Sequence, residues 1–211
     1  MKKGIMCLIV CVMIVACCTA GMAEDYAPIE ISDAERCAAN LFLSNFTEIG
    51  VRQLDAYGDD MDLVDFAHDH MWFNENDEYE FGEYGGENNC RVSDDKIQDI
   101  IDSYFYYPRE VDIAQTRFDY ADGYYYHCET GGWIPDGFAH VVNMCYVGDG
   151  VYFVSFYVFG GGSDWNNDVM EMTLEAIEAE YGHPNGYGSA LIYADDIADR
   201  STYKMISFGR I

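Results

Sequence analysis

The spacing of apolar residues changes once, near the middle of the chain, and that change constrains the fold more than any other feature. In the first half the spacing is helical. Ala34, Cys37, Ala38, Leu41, Phe42 and Phe46 recur at steps of three and four, as one face of an α-helix requires. Ser32 followed by Glu35 forms a capping box at its start, and the pattern ends near Gly50. A second helix is predicted from Asp59 or Asp60, with Leu63, Val64, Phe66, Ala67, His70 and Met71 on its apolar side. A third begins at Ser93. Asp94 and Asp95 occupy its first turn, where acids suit the helix dipole, and Ile97, Ile100, Ile101, Tyr104 and Phe105 form its stripe. The polar, glycine-rich stretch from Asn74 to Asn89 reads as a loop or small hairpin.

In the second half the period becomes two. Thr116 to Tyr120 and Tyr124 to Cys128 flank Ala121-Asp122-Gly123, and Phe138 to Val147 and Val151 to Phe159 flank Gly148-Asp149-Gly150. Both patterns predict β-hairpins. Gly160-Gly161-Gly162 ends the second hairpin. From Asp168 to Tyr181, the spacing of Met170, Leu174, Ile177 and Tyr181 predicts a short helix, with Asp168 and Glu171 as its capping pair. Final strands are expected from Ser189 to Ala194 and from Thr202 to Phe208. Helices first and antiparallel strands afterwards predict an α+β domain. Its N-terminal helices would pack on a curved sheet built mainly by the C-terminal half, an order compatible with an NTF2-like or cystatin-like cone.

The chain opens with an export leader. Lys2 and Lys3 precede an apolar run from Ile5 to Cys18, followed by the small residues Thr19, Ala20, Gly21 and Ala23. This charge–apolar–small order marks a signal peptide over residues 1–23, leaving residues 24–211 as a single domain. The run falls short of the roughly 20 residues that a spanning helix needs. Two exits are open. Gly21-Met22-Ala23 suits ordinary cleavage before Glu24, whereas Ile14-Val15-Ala16-Cys17 suits lipid attachment at Cys17. Either places the protein outside the cytoplasm, secreted or at the cell surface, with a lipid on Cys17 as its sole expected membrane anchor.

All 38 acidic residues lie beyond the leader, against 11 lysines and arginines of which Lys2 and Lys3 are leader residues. The resulting field repels nucleic acid and anionic lipid, so neither is an expected partner. Four cysteines remain, Cys37, Cys90, Cys128 and Cys145. Their even number permits two disulfides, but they include no Cys-x-x-Cys pair and no close metal-ligand spacing.

Motifs for chemistry are weak. His68-Asp69-His70 sits on the second predicted helix, where residues two apart point roughly 200° apart. That places His70 in the core and His68 near the edge, and spoils a shared metal site. Asp164, Asn166, Asp168 and Glu175 take positions 1, 3, 5 and 12 of a calcium-loop register, but Val169 replaces the glycine its turn requires. No Gly-x-Ser-x-Gly elbow and no phosphate-binding glycine loop occurs. His127 and Cys128 are adjacent, yet neighbours on a strand face opposite ways. No catalytic residue, metal ligand or cofactor is therefore assigned.

Leu41-Phe42-Leu43-Ser44-Asn45-Phe46, then Asp65-Phe66-Ala67 with His70, and the closing Tyr203-Lys204-Met205-Ile206-Ser207 resemble a group of secreted proteins and lipoproteins of gut-dwelling Firmicutes. The resemblance covers most of residues 24–211, less well from Gly160 to Asn185. It implies export and carries over no catalytic role.

Aromatic richness is the remaining clue. Exposed tyrosine and tryptophan serve sugar or protein contacts through flat apolar area and a polar handle. By analogy with cone-like folds, a ligand site is expected on the concave sheet face and its rim, near Tyr125, His127, Trp133, His140 and Trp165. The expected function is a non-enzymatic extracytoplasmic binding module for a protein or glycan. The competing reading is an extracellular hydrolase acting on glycans or peptides.

Overall fold

The structure is a computed structural model that describes residues 27–107, 110–128, 134–160 and 166–211. Residues 1–26, which include the expected leader and Cys17, the two candidate tryptophans Trp133 and Trp165, and Asp164 of the calcium-loop register lie outside the described residues. The order is α1 (Asp33–Thr47), β1 (Gln53–Asp55), α2 (Asp60–Asn74), β2 (Glu80–Phe81), β3 (Cys90–Ser93), α3 (Asp94–Tyr104), β4 (Asp119–Ala121) and β5 (Tyr124–His127). It continues with β6 (Gly137–Gly148), β7 (Val151–Gly160), α4 (Leu174–Tyr181), β8 (Gly186–Tyr193) and β9 (Lys204–Arg210). No described helix is long and apolar enough to cross a membrane.

Local chemistry sets these boundaries. Ser32 Oγ accepts from Glu35 N at 3.3 Å while Ser32 N donates to Glu35 Oε2 at 2.6 Å, completing the box that starts α1. Asp59 Oδ1 accepts from Met61 N at 3.1 Å and starts α2. The start of α4 differs from the sequence expectation. Residues Asn167–Glu171 form a 3-10 turn, with Asn166 Oδ1 accepting from Asp168 N at 2.8 Å. The helix then begins a turn later, capped by Thr173 Oγ1 accepting from Ala176 N at 3.3 Å. Both predicted hairpins turn on two residues, Asp122-Gly123 and Asp149-Gly150. All four have positive φ, at 53°, 78°, 51° and 76°, the mirror-image turn whose twist matches antiparallel strands.

The class is α+β, with two antiparallel sheets among the described residues. One is ordered β1-β9-β8-β7-β6 and the other β2-β3-β5-β4. The first is the expected C-terminal sheet. The middle hairpin instead joins the second sheet, because β3 takes β5 as its partner, Cys90 opposite His127 and Val92 opposite Tyr125.

In the main core, α1 packs on the large sheet with α2 behind it, while the end of α3 meets β9 directly, Tyr106 N donating to Met205 O at 2.9 Å. A chain of ring contacts crosses the core: Phe66 to Phe46 at 4.5 Å, Phe46 to Phe208 at 5.4 Å and Phe208 to Phe156 at 5.4 Å. Phe156 also lies against Gly188 on the next strand, where a Cβ would come within 2.4 Å of the ring. Phe138, Phe159, Val169, Met170 and Ile177 form a separate cluster, so that α4 and its 3-10 turn cover one end of the opposite sheet face. Helix α2 is buried on both sides. His70 is in the core as expected, but His68 is buried too and not at the edge, because the small sheet lies over that flank.

Candidate functional site

The edge strand β6 is held by a polar row along α1. Thr47 Oγ1 donates to Gly137 O at 2.9 Å, Ser44 Oγ accepts from Ala139 N at 3.0 Å, and Asn40 Oδ1 accepts from Val141 N at 2.7 Å. The Arg36 guanidinium donates to Val141 O at 3.1 Å. Steps of four and three put these residues on one helix face, and their side chains substitute for a missing neighbour strand. Beyond Arg36, Ile29 N donates to Met144 O at 2.9 Å. Two adjoining grooves remain, of about 340 and 350 Å³. Both are lined by Arg36 and Val142, one reaching Asn143 and the other His140. His140 is itself buried, with Nδ1 3.5 Å from Asn40 Nδ2. Burial, followed by the nearby Arg36 charge, pushes its pKa down, so the imidazole stays neutral near pH 7.

The small sheet carries Tyr125 and His127, the first enclosed and the second half-buried. Tyr125 is completely buried. Its hydroxyl donates to Ile113 O, and burial pushes its phenol well above the usual range. It is a core residue with no surface to offer a ligand. His127 packs among Trp72, Tyr79 and Phe118, with Nε2 3.3 Å from Cys90 Sγ. The thiol facing His127 is thus the cross-strand Cys90 and not its neighbour Cys128. A thiol beside an imidazole is the arrangement of cysteine nucleophiles, but Cys90 has no exposed surface. His68 closes this interior, its Nδ1 3.3 Å from the Tyr79 hydroxyl, and desolvation holds it neutral. All four cysteines beyond the leader are thiols.

Another polar centre lies where α1 and α2 end. Asn74 Nδ2 donates to Glu48 Oε1 at 2.8 Å and lies 3.1 Å from His70 Nδ1. Burial pushes the Glu48 carboxyl up to about 7, although the hydrogen bond from Asn74 opposes this. Burial, with Arg200 nearby, lowers His70 to about 4. Both side chains are neutral and enclosed in weakly acidic water. No group of three or more metal-ligating side chains converges among the described residues.

The accessible surface with organised chemistry is the open face of the large sheet. Val154, Phe156 and Val158 point into the core, so Phe153, Ser155 and Tyr157 point the other way. Register then places Gln53, Gly209, Ser189, Ser155 and Asn143 side by side across all five strands. His140, Tyr157 and Tyr187 stand in register on one side of this row. Phe153 and Leu191, continued by Ser207, stand on the other. Tyr187 is 59% exposed. A β-bulge between Val141 and Asn143 sets the end of the row. It turns Val142 aside and puts the Asn143 amide opposite Ser155, the re-aiming that bulges accomplish.

The sequence-predicted residues therefore do not share one rim. Tyr125 and His127 belong to the small sheet's interior, and His140 to the large sheet, beside the open face. The residues that sequence reasoning missed are Asn143, Ser155, Tyr157, Tyr187 and Ser189. Their alternation with Val154, Phe156, Val158 and Ala190 is a legible signal of a second face. The bulge that aligns Asn143 leaves none. No known protein family matches this chain, and neither does any curated protein or solved structure.

Proposed function

We propose that the protein is an exported binding module, without catalytic activity, that holds a partner on the open face of its large sheet. One observation carries this reading. The groups with perturbed environments and catalytic potential are closed off at their reactive atoms: Cys90 is fully buried behind a half-buried His127, and Glu48 and His70 are both buried, while the ordered polar row and the exposed Tyr187 face outward. Catalysis needs the reactive atom within hydrogen-bond reach of substrate. Recognition needs surface area with placed donors and acceptors, which the open face supplies. The leader supports export, by cleavage before Glu24 or by lipid attachment at Cys17.

Incubating the full chain with insoluble glycans, cell-envelope fragments and peptides, and measuring both retention and released product, tests the reading. Retention without product is the expected result. Product release that disappears in Glu48→Gln or Cys90→Ser would establish a hydrolase instead. In a bacterial host, intact mass of the extracytoplasmic species should show Glu24 as the first residue or a lipidated Cys17. A cytoplasmic chain retaining Met1 would contradict export.

A further inference from the structure

We infer that the open face recognises a neutral glycan chain laid across the strands, an assignment that rests on the binding reading above. Three observations carry it. The first is unused hydrogen-bonding capacity. The side chains of Gln53, Ser155, Ser189, Ser207, Tyr157 and Tyr187 have no hydrogen-bond partner among the described residues. They stand in adjoining rows on one face. Hydroxyls and amides both donate and accept, matching the hydroxyl groups of a sugar in either sense.

The second is shape. Tyr187, exposed beside the polar row, pairs across β8 and β7 with Tyr157, which is half-buried against the Phe138–Phe159 cluster and backs it. Aromatic rings present flat apolar area with a polar tip, suited to the C–H face of a pyranose while the serines bond its edge. With strands about 4.8 Å apart, a row across five strands extends roughly 19 Å, the reach of a short oligosaccharide.

The third is charge. The polar row and both tyrosines carry no formal charge in a chain of net −27. An anionic polymer meets long-range repulsion with no local cation in the row to offset it, whereas a neutral one is unaffected. A protein partner is the poorer fit, because protein interfaces are depleted in serine and here serine supplies the middle of the row.

Native electrophoresis of the full chain through gels containing soluble β-glucan, galactomannan, arabinoxylan or polygalacturonate tests the assignment. At least one neutral polymer should retard the protein, and polygalacturonate should not. Tyr187→Ala should weaken the retarding interaction at least about tenfold, in line with loss of a stacked aromatic anchor. Ser189→Ala should weaken it a few-fold. Tyr146→Ala removes an exposed tyrosine from the opposite face and should leave it unchanged. The assignment is overturned if no neutral polymer retards the chain, if polygalacturonate retards it equally, or if Tyr187→Ala has no effect. Retention on an envelope protein or peptide that is lost in Tyr187→Ala, with no response to any glycan, would remove the glycan and leave the binding reading standing. Absence of retention on every material would remove both.

Discussion

The two sheets treat polar side chains in opposite ways. On the inner side of the small sheet, Tyr125, Cys90 and the α2 residue His68 beneath them are reactive by type but are packed out of contact with solvent. In the large sheet, Ser155, Ser189 and Asn143 are unreactive by type, yet they stand in register on a face with little cover. Residue identity alone therefore points the wrong way. Histidine, cysteine and tyrosine attract attention in a sequence because of their chemistry, but here much of that chemistry holds the interior together. The residues suited to contact with a partner are plain serines and an asparagine made significant by register.

The largest expected contrast is in stability. Tyr125→Ala removes a buried ring and its bond to Ile113, so a loss of about 3–5 kcal/mol is expected from the cost of deleting buried aromatics. Tyr187→Ala should stay within about 0.5 kcal/mol of wild type, as exposed substitutions do. Urea unfolding of both variants checks the pair, and equal losses would break the distinction between a closed and an open sheet.

The next effect is pH-dependent. Glu48 rises from 4.5 in the unfolded chain to about 7 in the fold. Its contribution to stability is therefore complete below about pH 4.5 and is lost as pH rises through about 7, amounting to about 3 kcal/mol. His70 falls from 6.5 to about 4. Its contribution is present above about pH 6.5 and is lost as pH falls through about 4. Between these limits the two slopes oppose each other. Glu48→Gln should match wild type at pH 4 and exceed it in stability at pH 8, as read by unfolding at both values. An equal difference at the two pH values would contradict this account of Glu48.

Asn40→Ala strands Val141 N, whose partner is the Asn40 carbonyl oxygen, and should cost about 1–3 kcal/mol. Its hydrogen-exchange signature should be faster exchange confined to the 139–143 stretch of β6. The smallest structural effect is expected for Ser189→Ala, within about 0.5 kcal/mol, although the same change should weaken retention by a neutral glycan.

The first two helices, both hairpin turns and the α+β class were legible because each depends on local chemistry. Ser32 with Glu35, Asp59, Asp122-Gly123 and Asp149-Gly150 act within a few residues of themselves. The division into two sheets was not legible, since it depends on Cys90–Ser93 choosing Tyr124–His127 as partner across more than thirty residues of chain. His68 shows the same limit. Its helical position suggested an edge, and a sheet remote in sequence covers that flank. The polar row on α1 was present at Arg36, Asn40, Ser44 and Thr47 but is overshadowed by the apolar stripe beside it. For the candidate site, His140 was found and Tyr157 was readable as the alternate face of its strand, whereas Tyr187 precedes the strand expected from Ser189 and enters the sheet because β8 begins at Gly186. Asn143 was not, because a bulge shifts the strand's period and no residue in the sequence announces it.

Backbone amide shift mapping of the full chain during titration with a neutral oligosaccharide would locate the binding face. Perturbations are expected at Asn143, Ser155, Tyr187, Ser189 and Ser207, with the small sheet silent. Perturbations centred on Cys90, Tyr125 and His127, or on Glu48, would contradict binding at the open face.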